Sequence, residues 1–163
     1  MSGVYLNDVS MERRMRDGFV FNLKQITKAN GYRTNLGDIL IDAPLSLSDV
    51  LSKTMPAIVM AFGEEKNVAE ATDFHELVVP VNLYCHISEA SRQSDAILDL
   101  KMDIQQMLGS LWMLPGADGL PTCGRAKYLA SLPFSKVNDI SACGVRITVE
   151  VTYQQLLGDP TQN

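Results

Sequence analysis

The sequence has little of what marks several specialised classes of protein. Its 163 residues, 46% of them hydrophobic, include only three cysteines, an odd number that argues against a disulfide framework. No apolar run approaches the roughly 18–20 residues of a membrane-spanning helix. No apolar segment follows a basic start, as it would in a secretory signal. We therefore expect one globular domain over residues 1–163, made in a reducing cytoplasm, with residues 1–9 and 157–163 as flexible termini.

Positive charge is also scarce. Fourteen basic residues against nineteen acidic ones give a net charge of −5, which argues against nucleic-acid binding as the main activity. The charge is uneven, because residues 12–28 carry +3 and the rest of the chain −8. A basic helix on an acidic body could supply complementary contacts between subunits. The alternative is an ordinary solvated helix face.

Two segments predict amphipathic helices. Ser10 has the character of an N-cap, and the helix that it opens should run to about Asn30, where Gly31 would end it. Its apolar stripe is Met11, Met15, Phe19, Leu23 and Ile26. A second helix is expected over about 91–109, with the stripe Ile97, Leu100, Ile104, Met107 or Leu108, and Leu111. We interpret three aspartates on one face of that helix as a solvated surface that could meet another subunit: Asp95, Asp99 and Asp103.

Strand signals occupy much of the remaining chain. Alternation predicts strands over 77–87 and 143–153, with the odd-numbered residues buried. Residues 57–62 and 125–132 are further strands, the latter with Ala126, Tyr128, Ala130 and Leu132 on one face. Pro80 cannot donate to a neighbouring strand and predicts a local edge or a bulge. Weaker predictions are short strands at 32–33 and 37–41, a helical turn at 48–51, an acidic hairpin loop at 63–76 and a connection at 135–144.

These elements predict an α+β fold. Two amphipathic helices would cover one face of a mainly antiparallel sheet of four or five strands, since each apolar stripe has to be buried against another element. The sequence contains no internal repeat, no linker and no second domain.

Candidate chemistry is sparse. His75 and His86 lack the paired spacing of zinc ligands, and neighbouring residues on one strand, such as Cys85 and His86, point to opposite faces. Cys85 and Cys143 fall on apolar strand faces, and Cys123 has no histidine near it in sequence. The carboxylates of residues 63–76 lie in a polar loop, whereas general acid–base catalysis needs them in a pocket. We expect no catalytic residue, no metal site and no cofactor.

The order of elements resembles the tail terminator (tail completion) proteins of long-tailed bacteriophages. The resemblance covers residues 10–156 and rests on four features. They are the opening helix with its turn Asn30-Gly31-Tyr32-Arg33-Thr34, the strand Met55-Pro56-Ala57-Ile58-Val59, the strand-then-helix unit over 75–108, and the terminal strand ending Val149-Glu150-Val151-Thr152-Tyr153.

The resemblance implies a structural virion protein without catalysis. Its copies would form a ring, hexameric in that family, which ends the tail tube at the tail–neck junction and offers a docking face to the head connector. The implied partners are further copies of the chain, the tail tube protein, a neck or head-completion protein and, in a contractile tail, the sheath protein. DNA would only pass through the channel, and no membrane is involved. Assembly would take place in the host cytoplasm.

A ring needs two different complementary patches on each subunit. We expect charged residues of the first helix and of the acidic loop to contact a neighbouring subunit or tail protein: Arg13, Arg14, Arg16, Glu64, Glu65, Glu70 and Asp73. Two alternatives stay open at this point, namely another neck or head–tail joining protein of similar fold and a small cytoplasmic enzyme or ligand-binding domain.

Overall fold

The computed structural model describes residues 10–41, 57–70, 73–87, 93–110, 115–120, 125–137 and 140–156. In chain order, the helices in these ranges are α1 (Met11–Lys24), a 3-10 helix (Lys28–Asn30), α2 (Leu36–Ile39) and α3 (Gln93–Ser110). The strands are β1 (Leu40–Ile41), β2 (Ala57–Phe62), β3 (Lys66–Glu70), β4 (Phe74–Ile87), β5 (Arg125–Val137) and β6 (Ile140–Leu156). The predictions for residues 1–9, 48–51 and 157–163 and for Cys123 lie outside the described residues.

The strands form one mixed, mainly antiparallel sheet in the order β1-β2-β4-β6-β5, and β3 also pairs with β4. Only the β1–β2 pair is parallel among the described strands. The long central pair, β4 with β6, keeps one register from Phe74 opposite Leu156 to Ile87 opposite Cys143. The predicted α+β fold is confirmed.

The core lies between the helices and one face of this sheet. The odd-numbered side chains from Val79 to Cys85 and from Val145 to Tyr153 are buried there together with the predicted apolar stripe of the first helix and most of that of α3, as the alternation predicted. Leu77 and Ile97 are half-buried against this core, and Leu111 lies outside the described residues. The core residues from the two central strands are Val79, Val81, Leu83, Cys85, Val145, Ile147, Val149, Val151 and Tyr153. The side chains of His86, Ile87 and Cys143 lie outside the described residues.

The start of α1 is as predicted, but its end is earlier. The Ser10 hydroxyl accepts a hydrogen bond from the Arg13 N–H at 3.3 Å, which caps the helix. Gln25 and Ile26 donate to carbonyls only three residues back, so the helix tightens and ends at Lys24 instead of at Asn30. Gly31 closes the separate 3-10 helix with φ of 87°, the left-handed conformation that glycine adopts freely.

Pro80 lies between the part of β4 that pairs with β2 and the part that pairs with β3. β2 pairs with β4 as far as Phe62 opposite Val81, and β3 begins at Lys66 opposite Val78. The Pro80 carbonyl accepts from the Gly63 N–H at 2.7 Å, so the missing N–H of the proline points to the same gap between β2 and β3. A Cβ on Gly63 would lie 2.6 Å from the Pro80 ring. The predicted local edge is confirmed.

Several weaker predictions are wrong. The loop predicted at 63–76 contains strand residues, because β3 and the start of β4 pair there as a hairpin, bulged between Asn67 and Ala69. The connection predicted at 135–144 is occupied by the ends of β5 and β6. Residues 32–33 form no strand, since the Arg33 N–H bonds to a side chain of α3 instead of a strand neighbour. Within 37–41, α2 takes the first residues and leaves a two-residue β1.

The face assignment of β5 is right at its start and wrong beyond it. Ala126 and Tyr128 contact the core, as predicted. A bulge between Tyr128 and Ala130 then shifts the register, so that Ser131 lies opposite buried Ile147. Leu132 is consequently 55% exposed, on the face away from the helices.

Candidate interaction surface

The β3–β4 hairpin end holds most of the predicted contact residues. Every residue from 63 to 70 is exposed, and β3 pairs with the first residues of β4. The connection from β2 to β3 carries Glu64 and Glu65, Glu70 ends β3, and Asp73 precedes β4. We call residues 63–76 the acidic hairpin. Its carboxylates are gathered at one end of the sheet, as an exposed negative surface.

A buried tyrosine fastens the acidic hairpin to the body of the domain. The ring of Tyr153 on β6 is in the core, and its hydroxyl donates a hydrogen bond to the Glu65 carboxylate. Burial, that hydrogen bond and the nearby carboxylate of Glu12 raise the pKa of Tyr153 above its usual range. The hydroxyl therefore remains a donor, and Glu65 is held in place by a contact within its own subunit.

A second polar contact stiffens the hairpin itself. The Asn67 side-chain nitrogen lies 2.7 Å from Nδ1 of His75 across the two strands. The same histidine nitrogen is 3.8 Å from the Glu70 carboxylate, which is itself largely exposed. His75 thus sits between an amide and a carboxylate within the hairpin. It does not face a cluster of metal ligands.

The three arginines of α1 have different surroundings. Arg13 is exposed and lies 3.8 Å from Asp17, one turn further along the helix. Arg14 is half-buried, and Arg16 is exposed with its guanidinium 5.4 Å from the centre of the Phe62 ring. Because Phe62 ends β2 just before the acidic hairpin, the basic and acidic residues meet at the same end of one subunit. Their contact with a neighbouring molecule stays a prediction.

Asp103 does not lie on the solvated face that the sequence predicted for it. It is fully buried on α3, where its carboxylate accepts from the Arg33 N–H, the Thr34 N–H and the Thr34 hydroxyl at 2.6–3.0 Å. The predicted solvated face is therefore wrong at this residue, because donors some 70 positions earlier in the chain satisfy it. Asp95 is exposed as predicted, and Asp99 is 3.7 Å from Arg33. Asp103 fastens the turn after α1 onto α3.

A groove lies beside this anchor, between the α2 segment and the first half of α3. It has a volume of about 300 Å³. Its apolar wall is formed by Leu36, Ile39, Ala96 and Leu100, and basic side chains border it at Lys28 and Arg33. The α2 segment that forms one wall is joined to the end of the first helical region by a hydrogen bond, in which the Gly37 N–H donates to the Ile26 carbonyl at 2.9 Å. We call this feature the α2–α3 groove.

In the parts of the chain that the structure describes, no group of three or more His, Cys, Asp and Glu residues could hold a metal ion. The described helices likewise include none with the length and apolar character needed to cross a membrane. Burial raises the pKa of the Cys85 thiol to about 12, which keeps it protonated.

The sequence matches no family model, and no curated protein matches it.

Proposed function

We propose that this chain is the subunit of a ring, hexameric as in the family that it resembles, that ends the tail tube of a long-tailed bacteriophage and presents a docking face to the neck. The acidic hairpin carries this proposal. It is an ordered two-stranded extension whose residues 63–70 are all exposed, held by Tyr153 and backed by the basic start of α1. Such a surface suits contact with other proteins.

The fold supports the same role. The helices cover one sheet face, and among the described residues the other face carries half-buried or exposed side chains such as Tyr84, Arg146 and Glu150. These side chains and the acidic hairpin would contact further copies of the chain or tail tube, neck and sheath proteins. A ring contact joins two different patches of one subunit, which a polarised surface can provide. Each exposed charge pair contributes at most about 1 kcal/mol, but the pairs recur around a ring and favour one orientation of association.

Charge reversal on the acidic hairpin tests the proposal. We expect Glu64→Lys, Glu70→Lys and Asp73→Lys together to leave the fold intact, because all three side chains are exposed. A phage carrying this triple variant should form over-long or headless tails, visible by electron microscopy. Circular dichroism and thermal melting of the purified protein check the fold.

A control places three lysines elsewhere, at Asp95, Gln105 and Gln106 on exposed positions of α3, and changes the charge by about +4 where the hairpin variant changes it by about +6. This control should leave tail length unchanged. Normal tails with heads attached in the hairpin variant would contradict a contact role for the acidic hairpin. Absence of the protein from purified virions, where a ring protein occurs at a low copy number set by symmetry, would contradict the proposed function itself.

A further inference from the structure

Among the described strands, β3 alone has no residue in the core or packed against it. All five of its residues are exposed, and its pairing with β4 is interrupted by the bulge between Asn67 and Ala69. Separating β3 from β4 therefore exposes little apolar area, whereas unfolding of the domain exposes the whole core. The free energy of opening β3 should consequently lie far below that of global unfolding.

One side-chain contact joins this exposed strand to the core. The Tyr153 hydroxyl donates a hydrogen bond to the carboxylate of Glu65, the residue directly before β3. The Tyr153 ring is only 1% exposed, so its position is fixed by the packing around it. The contact between Asn67 and His75, in comparison, lies within the hairpin at its surface. Tyr153 is thus the point at which the folded core acts on β3.

The position of β3 determines more than the acidic surface. On the sheet face away from the helices, Val68 forms one wall of a cavity of about 530 Å³, and Arg125 and Lys127 of β5 line it as well. Opening of β3 removes this wall. It also leaves residues 74–78 of β4 without a neighbour on that side, because β3 is the strand that pairs with them there.

From these contacts we infer that β3 opens and closes as a unit while the rest of the domain stays folded, and that the hydrogen bond from Tyr153 to Glu65 is the latch that keeps it closed. Tyr153 is a positioning residue, since it acts on the exposed surface only through Glu65. The closed form presents the acidic residues in one arrangement, which spares a partner the entropic cost of ordering them. The inference concerns the single subunit and goes beyond the proposed ring.

Hydrogen exchange of the purified full-length chain, resolved by residue and repeated at low urea concentrations, tests the opening. In the wild type, the β3 amides bonded to β4 should be at least about a hundredfold less protected than those of residues 81–85. Their exchange should hardly depend on urea, because opening exposes little surface, whereas that of residues 81–85 should depend on it steeply. Equal protection with one urea dependence would overturn the inference.

Two substitutions test the latch in the same measurement. Tyr153→Phe should raise the exchange rate of the β3 amides about tenfold, because the variant loses a hydrogen bond that only the closed form makes. Glu65→Ala should have the same effect, and the double variant should add little to either, since the two side chains form one contact. The matched control Glu64→Ala removes the neighbouring exposed carboxylate and should leave the exchange unchanged.

A further control separates the latch from general loss of stability. Asp103→Ala removes contacts between α3 and the turn after α1, which are the same whether β3 is open or closed. It should therefore speed exchange of residues 81–85, which open by global unfolding, and leave the β3 amides unchanged.

Two results would overturn the latch: unchanged β3 exchange in Tyr153→Phe, or β3 exchange raised by Asp103→Ala as much as that of residues 81–85. These measurements do not depend on self-association. Failure of the latch leaves the proposed function standing, and absence of a ring leaves the latch standing.

Discussion

The two halves of β4 have opposite surroundings although they belong to one continuous strand. From Val81 to Cys85 the strand lies between β2 and β6 beneath the helices, and its odd-numbered side chains are fully buried. From Phe74 to Val78 it carries β3 instead, whose five residues are all exposed. The change occurs at Pro80, where the neighbouring strand is interrupted.

Because of this difference, one part of β4 stabilises the fold, whereas the other part carries a surface that can contact another molecule. The inner half buries apolar area, which supplies most of the stability of a domain. Beside the outer half, β3 buries little on its own subunit, so the side chains of β3 can change at small cost to the fold. It is joined to the core through Tyr153 and Glu65. Substitutions in the two halves should therefore affect different properties of the protein.

The largest expected effect comes from placing the same residue in the inner half of β4 and on β3, the strand that pairs with its outer half. Val81→Asp would bury an unpaired carboxylate beneath the helices and should cost more than about 4 kcal/mol, enough to abolish soluble expression. Val68→Asp, on the exposed bulge of β3, should change the free energy of unfolding by less than about 0.5 kcal/mol. Soluble yield and urea denaturation measure both variants. Equal stability of the two would contradict the division of β4.

A second comparison uses two aspartates of α3. Asp103→Ala would leave the Arg33 and Thr34 donors without their acceptor and should lower the free energy of unfolding by about 2–4 kcal/mol. Asp95→Ala, on the exposed side of the helix, should change it by less than about 0.5 kcal/mol. Chemical denaturation at neutral pH provides both values. A small loss in the first variant would show that water replaces the carboxylate.

The smallest effect depends on pH and belongs to the inner half of β4. Burial raises the pKa of Cys85 from 9.0 to about 12, so its contribution to stability is fully present below pH 9 and is lost as the pH rises toward 12. Between pH 8 and pH 10 the wild type should lose about 1 kcal/mol more than Cys85→Ala, which has no thiol to ionise on unfolding. Denaturation at both pH values measures the difference. Parallel losses would indicate that the thiol reaches solvent in the native state.

Much of the fold could be predicted because its signals are local. The alternation of β4 and β6 and the stripes of α1 and α3 repeat with the periods of strand and helix, so the buried faces follow from neighbouring residues alone. The Ser10 cap and the left-handed Gly31 are likewise properties of a few consecutive positions.

The acidic hairpin was recognised as exposed and negative from its composition, but its strand was missed. The sequence of β3 predicts a polar loop, because neither face of the strand is buried and the apolar alternation typical of a strand is therefore absent. Only its backbone pairing with β4 makes it one. The bulge in β5 was missed for the same reason, since a shift of register leaves little trace in residue types.

The α+β class, the two amphipathic helices and the buried faces of the central strands follow from patterns of neighbouring residues. The burial of Asp103, the pairing that makes β3 a strand and the walls of the α2–α3 groove are visible only in the folded domain. The physical reason is distance along the chain. A periodic pattern comes from adjacent residues, whereas the donors of a buried carboxylate, the partner of an exposed strand and the walls of a groove come from segments far apart in sequence.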